Sequence, residues 1–173
     1  MKKALPLFEA CLEGRRRIFG DEHPDTCSTM ESIGECLSEK GQYGKALTIF
    51  ENCLDIHRRL RGDEHPYTLS SLAAVASCHL DKGKPKIAIP MFEACLEVKR
   101  RVRGQRHIST LNSIFSLAEC FKEDKQLERA LELYEECLEG RQSLLGDDHK
   151  DTIDCAKCVA LTNKRLKRQG KPV

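Results

Sequence analysis

The sequence contains no tryptophan, and aromatic residues make up only 5% of its 173 positions. Its charge is almost balanced, with 29 basic against 27 acidic residues and a net charge of +2. That balance gives no overall attraction to nucleic acid or to an anionic membrane surface. No apolar run approaches the roughly 20 residues that a membrane-spanning helix needs, so no membrane span is expected. Leu, Ile, Val, Ala and Cys must therefore fill the core.

What the sequence does contain is a repeat of 42 residues that recurs four times without an insertion or deletion. Self-similarity at a period of about 20 to 50 residues indicates units that bury their apolar faces against neighbouring units. Such a repeat spreads like residues along a line, which favours a binding surface over a catalytic centre. The repeated positions are Ala4, Ala46, Ala88 and Ala130; Phe8, Phe50, Phe92 and Tyr134; Cys11, Cys53, Cys95 and Cys137; Leu12, Leu54, Leu96 and Leu138; Gly20, Gly62, Gly104 and Gly146; His23, His65, His107 and His149.

The ten cysteines do not indicate a disulfide framework, because seven of them occupy repeating positions inside helical patterns. At such positions cysteine behaves as a small buried hydrophobic residue. We therefore predict reduced thiols and a cytoplasmic location. The first residues are similar to the start of a signal sequence, but Glu9 and Glu13 interrupt the apolar segment and the repeat already includes it. We interpret them as structure and not as a targeting segment.

Each unit contains two amphipathic helical patterns. The first type has apolar residues three and four apart and stops at a glycine, which supplies a left-handed helix end. It is predicted near residues 3–19, 45–61, 86–103 and 128–145. The second type begins at Pro24, Pro66, Ile108 and Lys150, and is predicted to end near residues 40, 82, 124 and 167. Proline suits a first helical position, and either Asp21 and Asp63 or His23 and His65 could cap these starts.

The spacing of large and small residues resembles the tetratricopeptide repeat, as in Leu72, Val75, Ala76, His79, Gly83, Ala88, Phe92 and Cys95. Residues 62–68 (GDEHPYT) and 88–96 (AIPMFEACL) are similar to the longer repeats of kinesin light chains. The resemblance implies an all-α fold, a right-handed α-solenoid of antiparallel helix pairs with eight helices. It divides residues 1–173 into a half unit 1–22, full units 23–62, 65–104 and 107–146, a half unit 149–169 and a short basic tail 170–173.

The resemblance also implies a partner-binding groove lined by the helices of the second type. Its first two helices would contribute Ser28, Glu31, Glu35, Ser38, Glu39, Ser70, Ala73, Ser77, Leu80 and Asp81. Its last two would contribute Asn112, Phe115, Glu119, Lys122, Glu123, Asp154, Lys157, Leu161, Lys164 and Arg165. This lining would grade from acidic to basic around an apolar middle at Ala73, Leu80 and Phe115. An extended peptide with a basic end, an apolar anchor and an acidic end would match it.

No group of residues indicates catalysis, a metal or a cofactor. Helix axes pack about 8–10 Å apart, so the repeated histidines are too distant to share a zinc ion with bonds of about 2.0 Å. Cys155 and Cys158 form a CxxC pair on a helix without a second ligand pair, which favours structural cysteines. A recurring basic band, which includes Arg17, Arg59 and Arg101, has an acidic residue four positions before each of them. We interpret the band as an exposed face with ion pairs within the helix.

These features lead to one functional hypothesis and two alternatives. The hypothesis is a non-catalytic interaction module, kinesin light chain-like, that binds a protein or peptide in its groove. The first alternative is a structural spacer within a longer array. The second is an RNA-binding helical repeat, although the balanced charge and few aromatic residues disfavour nucleic acid. Because the helix near residues 3–19 has no preceding helix to pack on, self-stacking through this open half unit is a further expectation.

Overall fold

The protein is described by a computed structural model over residues 4–170, and every regular element in that range is an α-helix. The all-α repeat fold is therefore confirmed. The eight helices of these residues begin and end within two residues of the predicted positions. They are α1 (Ala4–Phe19), α2 (Pro24–Glu39), α3 (Tyr43–Arg61), α4 (Pro66–Asp81), α5 (Pro85–Arg103), α6 (Ile108–Glu123), α7 (Leu127–Leu145) and α8 (Lys150–Arg168).

The helices form two compact units, of which the first ends at Lys82 and the second begins at Gly83. In the first unit α2 packs on α1 and α3, and α3 packs on α4. In the second unit α6 packs on α5 and α7, and α7 packs on α8. One continuous array over residues 1–173, divided into full and half units, stays a prediction. Residues 1–3 and most of the predicted basic tail, residues 171–173, lie outside the described residues.

Histidines, and not the neighbouring aspartates, cap the helices of the second type. The Nδ1 atom of His23 accepts a hydrogen bond of 3.2 Å from the backbone N–H of Asp25. His65, His107 and His149 accept the equivalent bond at 3.3, 3.1 and 3.1 Å. Each bond satisfies one of the backbone N–H groups that a helix start leaves without a partner in the helix. This contact explains the histidine repeat without a metal ion.

Two kinds of turn connect the helices. After α3, α5 and α7 the chain passes through glycines with φ between 83 and 86° and ψ between 164 and 169°. The positive φ was expected, but the extended ψ puts these residues in a region that glycine alone populates readily. After α2, α4 and α6 the turn residues are Gly41, Gly83 and Lys125, with φ of 71, 68 and 63°. Lys125 is therefore a side-chain residue in a left-handed position.

Small residues allow the paired helices to approach closely, as the repeat pattern predicts. A Cβ atom added to Gly34 on α2 would lie 2.7 Å from the ring of Phe50 on α3. Cysteine serves the same purpose at the position of Cys53 and Cys137, both of which are completely buried. Their Sγ atoms donate to the carbonyl oxygens of Cys27 and Leu111, at 3.8 and 3.3 Å respectively. The same contact thus links α2 to α3 and α6 to α7.

Candidate functional site

In the first unit the predicted partner-binding wall lies on α2 and α4. All ten of its predicted residues are at least partly exposed, so the two helices present them to solvent. Ser38 Oγ on α2 lies 3.6 Å from Cys78 Sγ on α4, which joins the helices near their C-terminal ends. Partial burial raises the pKa of the Asp81 carboxyl at the end of α4. The wall of this unit carries acidic residues on α2 and mostly small residues on α4.

A buried hydrogen-bonded cluster connects this wall to α3. Ser71 Oγ donates to Glu31 Oε1 at 2.6 Å and lies 3.0 Å from His57 Nδ1. Glu31 and His57 also line a pocket of about 140 Å³ together with Ser28 and Tyr67. Burial lowers the pKa of His57; the negative charge of Glu31 opposes this effect, and the positive charge of Arg61 adds to it. The cluster fixes the carboxylate of Glu31 at the edge of the wall.

This serine, histidine and glutamate do not form a nucleophilic triad. Because the single hydroxyl proton of Ser71 is donated to Glu31, the histidine Nδ1 must donate to Ser71 Oγ. An activated serine needs the opposite arrangement, in which the histidine accepts the hydroxyl proton. Ser71 is also completely buried, so a substrate could not reach it. The arrangement joins three helices, α2, α3 and α4, and has the chemistry of a structural contact.

In the second unit the predicted wall lies on α6 and α8, and Arg141 of α7 supports it from behind. The Arg141 guanidinium donates to Asn112 Oδ1 at 3.1 Å and to the carbonyl oxygen of Asp151 at 2.9 Å. It also lies 4.8 Å from the centre of the Phe115 ring. Phe115 in turn packs edge-on against Tyr134, with ring centres 5.5 Å apart. Phe115 is therefore half-buried and partly structural, although it was predicted to line the apolar middle of the groove.

Glu119 is the centre of a second cluster on this wall. Tyr134 Oη donates to its carboxylate, and Lys122 forms an ion pair with it one turn later on α6. Cys158 Sγ on α8 approaches Glu119 Oε1 at 3.8 Å, so the cluster joins α6 to α8. Burial raises the pKa of the Tyr134 hydroxyl, and the Glu119 charge adds to this effect. The Tyr134 hydroxyl is thus held as a hydrogen-bond donor.

The outer part of α8 is the more exposed part of this wall. Asp154 and Lys157 form an ion pair of 2.9 Å, which holds the pKa of the Asp154 carboxyl below its usual range. Leu161 is 61% exposed, which is high for an apolar side chain in a helix. Lys164 and Arg165 follow it and are exposed. This end of the unit offers an apolar side chain beside a positive charge.

The structure identifies one repeated position that the sequence interpretation missed. The position recurs every 42 residues and is occupied by Arg15, His57, Lys99 and Arg141. Each of these side chains reaches a group near the start of the next helix. Arg15 donates to Thr29 Oγ1 at 2.7 Å, and Lys99 Nζ donates to Ser113 Oγ at 2.8 Å. Burial lowers the pKa of Lys99. An alignment of the four units would have revealed a basic or imidazole side chain at every equivalent position.

One arginine of the exposed basic band pairs differently from the prediction. Arg59 was expected to pair with Asp55 within α3, but the structure pairs it with Glu22 in the turn before α2. Arg58 pairs with Asp63 at 3.0 Å, and Arg16 pairs with Asp21 at 2.6 Å. These arginines therefore hold turns and neighbouring helices.

The second unit has a further concave surface outside the predicted wall. A pocket of about 660 Å³ lies among α5, α6 and α7, with Leu117 and Phe121 among its lining residues. The guanidinium of Arg129 stacks over the Phe121 ring at 3.9 Å and forms an ion pair with Glu93 at 3.4 Å. The pocket is bordered by side chains of both charges, and one of them, Arg100, pairs with Glu136 outside the pocket lining.

Within residues 4–170, no cluster of three or more histidine, cysteine or acidic side chains could hold a metal ion. No helix in that part of the chain is long and apolar enough to cross a membrane.

Comparison with known proteins assigns the chain to a family. The tetratricopeptide repeat model matches residues 1–51, 28–101 and 74–143, which together include most of the sequence. The chain therefore belongs to the tetratricopeptide repeat family. Repeats of this family are generally protein–protein interaction modules, and their fold is typically a non-catalytic scaffold. No curated protein sequence matches the chain significantly.

Solved structures identify the type of repeat. A kinesin light chain of Podospora anserina with nearly identical TPR-like repeats superimposes with a TM-score of 0.79 at 21% identity, over 98% of this chain and 81% of that one. BtubC (BKLC) of P. vanneervenii gives 0.80 at 19% identity, over 94% and 65%. The Sgt2 TPR domain of Aspergillus fumigatus gives 0.61 at 16% identity, over 87% of each chain. The fold is therefore that of kinesin light chain-like tetratricopeptide repeats.

Proposed function

We propose that the protein is a non-catalytic scaffold that binds protein or peptide partners along the walls formed by α2 and α4 and by α6 and α8. The observation that carries this proposal is that all twenty predicted groove residues are at least partly exposed. The buried side chains of both walls, such as Ser71 and Arg141, hold helices together and leave the outer side chains to contact a partner. The fold of kinesin light chain-like repeats supports the proposal.

The two walls differ in charge, which favours different ligands. Glu35 and Glu39 are exposed on α2, so the wall of the first unit suits a peptide with lysine or arginine side chains. Lys164 and Arg165 are exposed on α8 beside Leu161, so the wall of the second unit suits an acidic peptide with one apolar anchor. Complementary charge speeds association and selects the partner more than it raises affinity.

The test uses two labelled peptides with the full chain, one rich in lysine and one rich in glutamate, each with a central leucine. Fluorescence anisotropy would measure their dissociation constants at several salt concentrations. The double variant E35K/E39K should weaken binding of the basic peptide, and K164E/R165E should weaken binding of the acidic one. We expect a loss of about tenfold in each matched case, or roughly 1.4 kcal/mol, and little change in the mismatched cases.

Leu161→Asp is the sharpest test of the apolar contact between the wall of the second unit and the leucine of the peptide. Leu161 is largely exposed, whereas Phe115 packs on Tyr134 and Arg141, so only the first can be changed without disturbing the core. The matched control is Leu144→Asp on α7, which is 50% exposed and lies outside the predicted walls. We expect L161D to reduce binding of the acidic peptide while L144D leaves it unchanged. Equal binding by both variants would reject the proposed wall.

Two alternatives give different results in the same assay. A structural spacer would bind neither peptide in any variant. An RNA-binding repeat would bind a labelled single-stranded RNA, with an affinity that falls steeply between low and moderate salt.

The ten free thiols support a reducing compartment, and we place the protein's action in the cytoplasm as part of the same proposal.

A further inference from the structure

The helix α1 exposes a face that the equivalent helices bury. Ala4, Phe8 and Cys11 correspond to Ala46, Phe50 and Cys53 of α3, all of which are buried against neighbouring helices. On α1 not a single residue is fully buried, and Cys11 is exposed, whereas Leu12 packs on the cluster that contains Cys27 and Met30 of α2. The face around Cys11 therefore retains the pattern that packs on a helix of the second type, and within residues 4–170 no second helix of that type covers it.

The helix α8 exposes the complementary face. Ile153, Ala156 and Ala160 correspond to Cys27, Met30 and Gly34 of α2, which pack against α3. They also correspond to Leu111, Ile114 and Ala118 of α6, which are almost completely buried. On α8, by contrast, Ile153 is 42% exposed and both alanines are exposed. This face is built to receive a helix of the first type.

The contacts that join α2 to α3 can be transferred to these two faces position by position. Cys53 Sγ donates to the Cys27 carbonyl oxygen, and the equivalent pair is Cys11 with the Ile153 carbonyl oxygen. Phe50 packs over Gly34, and the equivalent pair is Phe8 with Ala160.

The charges transfer in the same way. The ion pair between Glu22 and Arg59 corresponds to Asp148 with Arg17, so the two surfaces carry opposite charges where they would meet. Arg17 and Asp148 are both exposed. Apolar pattern, helix type and charge thus agree on the same pairing of α1 with α8.

We propose that copies of this chain associate head to tail, with α1 of one copy packed on α8 of the next in the geometry of α2 and α3. The occupant of the α1 face is therefore a second copy of the chain. Because the two surfaces differ, the interface is heterologous and each added copy leaves both kinds of face available at its ends. Such association continues beyond a dimer unless a ring closes. It would multiply the partner-binding walls along one assembly.

Sedimentation velocity of the full chain in a reducing buffer, over a wide range of concentrations, tests this proposal. The wild-type chain should form species larger than a dimer as its concentration rises. Cys11→Arg blocks the α1 face and Ala160→Arg blocks the α8 face; both positions are exposed, so the folded chain tolerates the longer side chain. Each variant alone should remain monomeric. Asn52→Arg, an equally exposed position on α3, is the matched control and should assemble like the wild type.

An equimolar mixture of C11R and A160R provides the decisive measurement. Each variant retains one intact face, so the mixture should form a one-to-one dimer and nothing larger. Arg17→Glu should weaken assembly about five- to tenfold, and the added change Asp148→Lys should restore it. A wild-type chain that stays monomeric at every concentration would overturn the proposal, because the α1 face would then belong to another protein or repeat. Dimers of A160R alone would also overturn it, because they would indicate symmetric pairing.

Discussion

At the scale of single residues, the most informative position is the one shared by Arg15, His57, Lys99 and Arg141. These side chains differ in shape and charge, yet each donates a hydrogen bond to a group near the start of the next helix. A buried polar group is costly unless it is hydrogen-bonded, so the acceptor is as important as the donor. In the first three units the acceptor is a side-chain hydroxyl at one repeat position, that of Thr29, Ser71 and Ser113. The position therefore accommodates different donors opposite the same kind of acceptor.

The cost of burying His57 can be measured from the pH dependence of the free energy of unfolding. Its pKa is lowered by burial, so the folded chain binds fewer protons than the unfolded chain between the lowered pKa and about 6.5. The free energy of unfolding should therefore decrease as the pH falls through that window and stay constant above it, as far as this residue is concerned. Urea unfolding at a series of pH values would measure the slope, and His57→Gln should reduce it. An NMR titration midpoint of His57 above 6.5 would contradict the prediction.

At the scale of the helix and turn, replacing glycine by alanine should change the free energy of unfolding in opposite directions at two positions. Gly104 ends α5 with φ of 85° and ψ of 164°, where a Cβ atom is strained, so Gly104→Ala should lower the free energy of unfolding by about 1–3 kcal/mol. Gly14 lies inside α1 with open space around it, so Gly14→Ala should raise it by about 0.5–1 kcal/mol. Thermal and urea unfolding of the two variants would measure both values.

Lys125 allows the opposite substitution to be tested. It has a φ of 63° at the turn position where the turns after α2 and α4 have glycine. Lys125→Gly should raise the free energy of unfolding by up to about 1 kcal/mol, since glycine has no Cβ atom to strain. A Gly104→Ala chain as stable as the wild type, or a destabilised Lys125→Gly chain, would show that packing and not backbone conformation controls these turns.

At the scale of the whole molecule, the ten thiols should fall into two reactive classes. Cys11 is exposed and Cys36 and Cys158 are half-buried, whereas the remaining seven are buried. The thiolate is the reactive form, and burial raises the pKa of Cys53 and Cys120 to about 12. An aromatic disulfide reagent should therefore react with at most three thiols in the folded chain at low concentration, and with all ten after denaturation.

Cys11→Ser identifies the fastest thiol in this experiment, because it should remove the fast phase and leave the slower ones unchanged. Protection of Cys11 as the protein concentration rises would agree with head-to-tail assembly, in which α8 of a second copy covers it. Rapid reaction of all ten thiols in the folded chain would contradict the buried positions of the cysteine repeat.

The helices could be predicted from the sequence because their causes are local. Apolar spacing, proline at a first helical position and glycine at a helix end act over a few residues, and the 42-residue repeat states them four times. The choice between aspartate and histidine caps could not be predicted, since it depends on the conformation of the turn. The side chains of the predicted walls are at least partly exposed. The partial burial of Phe115 was not foreseeable, because Arg141 and Tyr134 come from a different helix.

The sequence by itself determined the helical repeat, the family and which helix faces are apolar. Only the tertiary structure decided which basic side chains turn inward, which acidic residue each arginine pairs with, and which two apolar faces stay uncovered. The physical reason is the separation along the chain over which each interaction acts. Backbone conformation depends on near neighbours in the chain. The partner of a charge, such as Arg59 with Glu22, depends on which atoms folding brings within a few ångströms.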